Sequence, residues 1–207
     1  MTKIISHIAV SLDGFVAGPD QSEDNPLGVG GLQLHEWHLP GREHHPVDVE
    51  AAKAILEGNG AYVMGRNMFG PIRGEWSGDW RGWWGEEPPY HAPVFVLTHH
   101  AREPLTMGGG TTFEFVTEGF EHALALARDA AGPDANVAIA GGASTVNQAL
   151  AAGVVDELTL HVAPVTLGAG ERLFDGVGDL RLEVVDSISS PLAAHVRYQR
   201  AIGTSPR

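Results

Sequence analysis

The chain predicts an α/β domain: a mostly parallel sheet of about eight strands with flanking helices and a C-terminal antiparallel hairpin. Three observations predict it. Short apolar, strand-like runs alternate with segments of helical period along all 207 residues. Two buried runs end at glycines that lead straight into polar or basic residues, Gly65-Arg66 and Gly141-Gly142-Ala143-Ser144-Thr145. Two alternating segments, 180–186 and 194–201, close the chain as a pair.

Taken in order, Lys3 to Val10 alternates around Ile4, Ile5, Ile8 and Val10 and reads as the first strand, and Ser11 to Gly18 carries it into a glycine-punctuated bend. Pro19 to His45 is polar and glycine-rich without a sustained period, a long loop of the kind that usually serves function. Pro46 opens a helix with Val47, Ala51, Ala54 and Ile55 on one face and Gly58 just past its end. Ala61 to Met64 is the next strand. An irregular segment, 71–93, carries Trp76, Trp80, Trp83 and Trp84. Val94 to Thr98 is a continuous apolar strand, as a strand buried on both faces requires. Thr112 to Val116 alternates, and Phe120, Ala123, Leu124 and Ala127 mark a helix that stops at Gly132-Pro133. The double-glycine turn leads into a helix over Thr145 to Ala152, and a strand over Val155 to Val162 precedes the hairpin. Residues 1–202 read as one domain and 203–207 as a frayed tail.

Acidic residues outnumber basic ones by 26 to 13, giving a formal charge of −13. Such a field repels nucleic acid and anionic membrane, and both are set aside as partners. No apolar run approaches a bilayer span, and the N-terminus enters strand-like sequence with no signal-peptide pattern, so the protein reads as cytoplasmic. Zero cysteines exclude disulfides, thiolate metal sites and thiol catalysis. Basic residues beside glycine turns are therefore the informative ones.

Paired glycines let the backbone bend sharply and approach a ligand closely. A helix that starts there presents unpaired N–H groups and the positive end of its dipole, which together suit a phosphate or pyrophosphate. Ser144 and Thr145 add hydroxyls. An ordinary strand-to-helix turn is the competing reading, and the second glycine-ended strand, Tyr62 to Gly70, favours the anion site. The forked, always charged guanidinium of Arg66 suits phosphate recognition.

In this order the motifs Ser11-Leu12-Asp13-Gly14, Met64-Gly65-Arg66, Leu97-Thr98, Ala140-Gly141-Gly142-Ala143-Ser144, Val155-Asp156-Glu157-Leu158 and Ala163-Pro164-Val165-Thr166-Leu167-Gly168-Ala169-Gly170 are similar to those of the dihydrofolate reductase superfamily. The chain particularly resembles stand-alone relatives of the reductase domain of the riboflavin-biosynthesis deaminase-reductase. The resemblance implies a dihydrofolate reductase-like fold, NADPH as hydride donor, a small-molecule substrate and a homodimer. It implies that Gly65, Arg66, Asn67 and Met68, with Leu97, Thr98 and His99, hold the adenosine phosphate side. Ala140, Gly141, Gly142, Ala143, Ser144 and Thr145 fall to the pyrophosphate, and Ala9, Val10, Gly14 and Gly18 to the border of the nicotinamide. The expected activity is hydride transfer to a small heterocycle or another C=N or C=C acceptor. A pterin or riboflavin-precursor reductase and a non-catalytic NADPH-binding module stand as alternatives. Ala140 departs from the riboflavin enzymes, which usually carry an acid just before the double glycine.

Three acids are candidates for the catalytic proton: Asp13 in its glycine bend, and Asp48 and Glu50 in the first helix. Local turn bonding accounts equally for Asp13, and the helix dipole for the other two. The eleven histidines show no metal-ligand spacing, so no metal is expected, and His161 reads as structural. The four tryptophans read either as packing or as a pocket wall or subunit contact.

Overall fold

The computed structural model describes residues 2–41, 43–70, 73–76 and 78–201; the expected tail at 203–207 lies outside them. In chain order the elements are β1 (Ile4–Val10), β2 (Phe15–Ala17), α1 (Pro46–Ala54), β3 (Asn59–Gly65), α2 (Arg66–Phe69), β4 (Pro93–Leu97), β5 (Leu105–Thr106), β6 (Thr112–Val116), α3 (Phe120–Ala131), β7 (Asn136–Gly141), α4 (Ala143–Ala151), β8 (Glu157–Val162), β9 (Glu171–Arg172), β10 (Leu182–Ser189) and β11 (Ala194–Arg200).

Nine strands form the main sheet in the order β10-β11-β8-β1-β7-β3-β4-β6-β5, one more than the sequence suggests, because the two-residue β5 is too short to leave a period. The run from β8 to β6 is parallel throughout; β11 and β10 at one edge and β5 at the other are antiparallel. β2 and β9 pair in a separate two-stranded ribbon.

Parallel strands buried on both faces need helices or loops over each face. On one face α3 and α4 bury Leu124, Ala127, Val146 and Leu150 against Val63, Val137 and Ile139. On the other, Tyr62, Met64, Val94, Val96 and Phe113 meet Phe69, Tyr90 and the tryptophan segment. Three of the tryptophans are packing elements: Trp84 stacks on Phe113, Trp80 donates Nε1 to the Phe69 carbonyl at 3.0 Å, and Trp83 packs edge-on against Trp80. β10 has β11 as its one neighbour among the described residues, and its outer edge exposes Val184, Val185 and Ile188, with a register break between Val184 and Asp186.

A polar cluster sits under α1, on the face of β1, β8 and β11 that the loop before α1 covers. Trp37, 1% exposed, lies against His161, His195 and His38. His35 and His38 bond each other at 3.1 Å. Burial holds the His7 and His35 imidazoles down to about 4 and His161 to about 2, with neighbouring histidines adding to the effect on His35 and His161. These rings fold neutral, whereas the unfolded chain protonates them near their ordinary value of about 6.5. Below that value the unfolded state binds more protons than the native one, so acid favours unfolding. Urea unfolding is therefore expected to lose stability as pH falls from 6.5 towards 4, by about 1.4 kcal/mol per pH unit for each fully shifted ring. A midpoint unchanged between pH 7 and pH 5 would contradict this.

Candidate cofactor groove and buried acid

The carboxyl ends of β1, β7, β3 and β4 line one edge of the sheet, where ligands of open α/β sheets bind. The cofactor-side residues expected from the sequence lie at or just beyond these ends or in the β1–β2 bend, except Gly18, which follows β2. Met64 pairs with Gly141, so the two glycine turns stand side by side.

Gly65 carries this contact. Its φ is an ordinary −80°, yet a Cβ there would lie 2.7 Å from Thr145 Oγ1 and 3.6 Å from the Gly142 amide. Gly141, at φ +135°, adopts backbone that L side chains avoid. α4 begins at Ala143, two residues before the expected start, because Gly142 occupies the cap position without a side-chain cap. The Gly142 carbonyl engages the Thr145 and Val146 amides. That leaves the amides of Ala143 and Ser144 at the helix start, where no intrahelical acceptor exists. Ser144 is exposed beside them, while Thr145 is buried against Gly65. An open hollow of about 390 Å³ runs from Ala143 and Ser144 along the outer side of α4 to Arg172 and Asp175.

At the β3–β4 end, Arg66 opens α2 and lays its guanidinium 3.7 Å from the centre of the Trp76 indole, with Nη1 bonded to Thr98 Oγ1 at 3.4 Å. Its Nε and Nη2 are buried with no hydrogen-bond partner among the described residues. Burial first, then Arg73 and Arg102 nearby, hold the guanidinium below its ordinary value, and Glu75 opposes them. Trp76 is fixed by donating Nε1 to the His100 carbonyl at 2.7 Å, and Arg102 stands over the same indole at 4.9 Å. Trp76 thus packs edge-on against Phe69 and Phe115 and is at the same time the platform under a pair of cations. Thr98 is buried, His99 and Asn67 are exposed, and Leu97, Met68 and Ala140 are half-buried along the groove. Arg102 and Trp76 were not singled out as binding residues from sequence; a basic residue four positions after Thr98 in an acidic chain is the signal that marks Arg102.

At the β1 end, Ala9 and Val10 are buried. Asp13 clasps the bend: it accepts from Ser11 Oγ at 2.6 Å and from the Leu167 and Gly168 amides at 3.0 and 2.7 Å. These bonds, the Ser11 hydroxyl foremost, hold its carboxyl at about 2. Gly14 sits at φ +88° with its carbonyl bonded to the Leu173 amide, and Gly18 packs against the backbone of Val29 and Gly28. Asn147 of α4 ties the far side of this loop by bonding the Arg172 carbonyl and the Phe174 amide.

The two acids of α1 part company. Glu50 faces solvent and pairs with Lys53 at 2.7 Å. Asp48 is fully buried and receives His195 Nε2 at 2.9 Å, with its Oδ2 lacking a partner among the described residues. His161, read from sequence as structural, is the next member of that network. No group of three or more His, Asp or Glu among the described residues is arranged to hold a metal ion.

Comparison with known proteins agrees with this architecture. Residues 2–193 match the family model described as the RibD C-terminal domain. A solved structure of a protein from Shewanella sp. PV-4 assigned to riboflavin biosynthesis is similar, at TM-score 0.63 and 23% identity over 97% of this chain and 99% of that one. A dihydrofolate reductase from Enterococcus faecalis, complexed with NADP(H), is similar at TM-score 0.57 and 18% identity over 96% of each chain. A pyrimidine reductase-like protein from Corynebacterium diphtheriae is similar at TM-score 0.58 and 15% identity, over 97% of this chain and 92% of that one. Among curated proteins, no sequence matches. With the model matched over nearly its whole length, and with the dihydrofolate reductase-like fold in place, the chain belongs to the RibD C-terminal domain family.

Proposed function

We propose that this protein is an NADPH-dependent reductase that transfers a hydride to a small heterocycle or another C=N or C=C acceptor. The observation that carries the reading is the Gly65–Thr145 contact. It sets two helix-start amides that have no intrahelical acceptor beside a turn whose arginine buries Nε and Nη2 without partners among the described residues. Buried guanidinium donors without an acceptor are costly, and a phosphate satisfies them. The Ala143 and Ser144 amides with the Ser144 hydroxyl would hold the pyrophosphate, and Arg66, Thr98 and Arg102 the adenosine phosphate; both the Enterococcus neighbour's cofactor and the family support NADPH.

When bound, NADPH supplies the hydride, and the protein's part is orientation and electrostatics. Ala9, Val10 and the Asp13 bend form the wall at the nicotinamide end. Asp13, ionised down to about pH 2 and occupied by three donors, clamps that wall rather than giving up a proton. Glu50 faces away. Asp48 is the acid whose placement supports a proton-supplying role. Its burial, bonded to His195 at 2.9 Å, also favours catalysis over a non-catalytic binding module, which needs no such acid. Ala140 in place of an acid weighs against the riboflavin precursor as substrate. We also propose a cytoplasmic location, consistent with no described helix being long and apolar enough to cross a membrane.

Fluorescence titration is expected to show saturable NADPH binding at micromolar concentration, and Arg66→Ala to weaken NADPH about ten-fold more than NADH, equivalent to about 1.4 kcal/mol. No saturation removes the reading. NADPH consumption over a panel of pterins and pyrimidines then separates a catalyst from a binder. Gly65→Ala is expected to destabilise the protein by about 1–3 kcal/mol in urea and to weaken NADPH as well, since its Cβ forces the two turns apart. We further propose a homodimer that covers Val184, Val185 and Ile188. Sedimentation is expected to give twice 22.0 kDa, and Ile188→Asp to shift it to the monomer.

A further inference from the structure

Asp48 is sealed from solvent, yet it is not isolated. Its Oδ1 meets His195 Nε2 at 2.9 Å; His195 Nδ1 meets His161 Nδ1 at 2.8 Å; His161 Nε2 meets His7 Nδ1 at 3.3 Å. Asp48, His195 and His161 are 0%, 4% and 1% exposed, and His7 is half-buried. An unbroken line of ring nitrogens therefore joins a buried carboxylate to the protein's surface. We propose that His7, His161 and His195 form a proton relay that equilibrates the sealed Asp48 carboxylate with bulk water. The relay is a property of the free protein; only the use made of the Asp48 proton rests on the reductase reading.

The chain has one consistent polarity. An ionised Asp48 accepts, so His195 carries its proton on Nε2 and leaves Nδ1 bare. His161 must then donate from Nδ1 and accept at Nε2, and His7 donates from Nδ1 and leaves Nε2 for water. A proton arriving on His7 Nε2 moves the Nδ1 proton of His7 to His161 Nε2. The Nδ1 proton of His161 passes to His195 Nδ1, and the Nε2 proton of His195 passes to Asp48 Oδ1. One proton enters and one carboxylate becomes a carboxylic acid; every imidazole is neutral before and after. The return path is the same set of hops in reverse. No ring holds a charge at rest, which suits an interior where an unpaired charge is costly.

The surroundings fit. His7 feels the charge of Glu157, a carboxylate shared with Lys3 and Arg197, which partly offsets the burial of its ring at the entrance. His161 faces His35 and His38 as well as its chain partners, and His38 faces His44. Trp37 stacks on His161 with ring centres 4.6 Å apart and closes off the middle of the line, leaving His7 as the open end. Asp48 Oδ2, buried without a partner among the described residues, is a half-charge that protonation removes.

Long-range ¹H–¹⁵N correlation on the labelled full chain at pH 7 tests the polarity. His195 is expected as the Nε2–H tautomer and His161 and His7 as Nδ1–H. Saturation transfer from water tests conduction. His7→Phe is expected to slow exchange of the His161 and His195 ring protons at least ten-fold while backbone amides of β1 and β8 keep their protection. His7→Gln, which hydrogen-bonds but cannot relay, is the second variant and is expected to do the same. Another tautomer pattern, or ring exchange unchanged in a folded variant, overturns the relay. NADPH titration of the unsubstituted protein keeps the two ideas apart: no saturable binding there with ring exchange slowed in the His7 variants sinks the reductase and leaves the relay, and saturable binding with unchanged ring exchange sinks the relay alone.

Discussion

The close approach of Gly65 to the first turn of α4 is the constraint on which the rest of the molecule depends. Any side chain at that position would meet Thr145 Oγ1 before van der Waals contact. Without one, β3 and β7 end side by side, and two turns remote in sequence present their donors on one edge. The helices behind and the aromatic segment in front hold these strand ends in place, since each buries a separate apolar cluster against opposite faces of the same strands. Helix-start amides work as ligand donors only when something else fixes their direction, and here the packed sheet does so.

Charge is distributed to match. In a chain with 13 basic against 26 acidic residues, Arg66 and Arg102 gather over one indole, with Arg73 near the Arg66 guanidinium. The Trp76 ring occupies the face of the Arg66 guanidinium and leaves its edge donors for other partners, a division of labour that an ammonium does not permit. The opposite solution operates under α1, where imidazoles are buried uncharged and bonded to one another. One region concentrates cations at an open edge; the other stores protons in a closed interior.

Local features were legible in the sequence. Strand periods, the two glycine turns, the terminal hairpin and the Asp13 bend each depend on residues a few positions apart, and each is present, with the hairpin's first strand running to Ser189 rather than 186. What the sequence could not show depends on long-range pairing. Asp48 and His195 lie 147 positions apart, and nothing in the first helix distinguishes a buried Asp48 from an exposed Glu50 until β11 is placed beside it. His161 has the alternation of any strand residue, so its bonds to His7 and His195 leave no trace in spacing. Asp13 announces a turn, whereas its grip on Leu167 and Gly168 requires the loop after β8 to fold back. The tryptophans lack a period because they pack individually, one of them beneath a cation.

The break in register along β10 bears on how this molecule avoids its own kind. A straight outer strand with bare amides and carbonyls invites unlimited edge-to-edge addition, the route to fibres. Here the bulge between Val184 and Asp186 twists the ladder partway along, and Glu183 and Asp186 place negative charge on the same strand. Such features disfavour the stacking of copy upon copy along this edge, even though Val184, Val185 and Ile188 leave apolar surface on it.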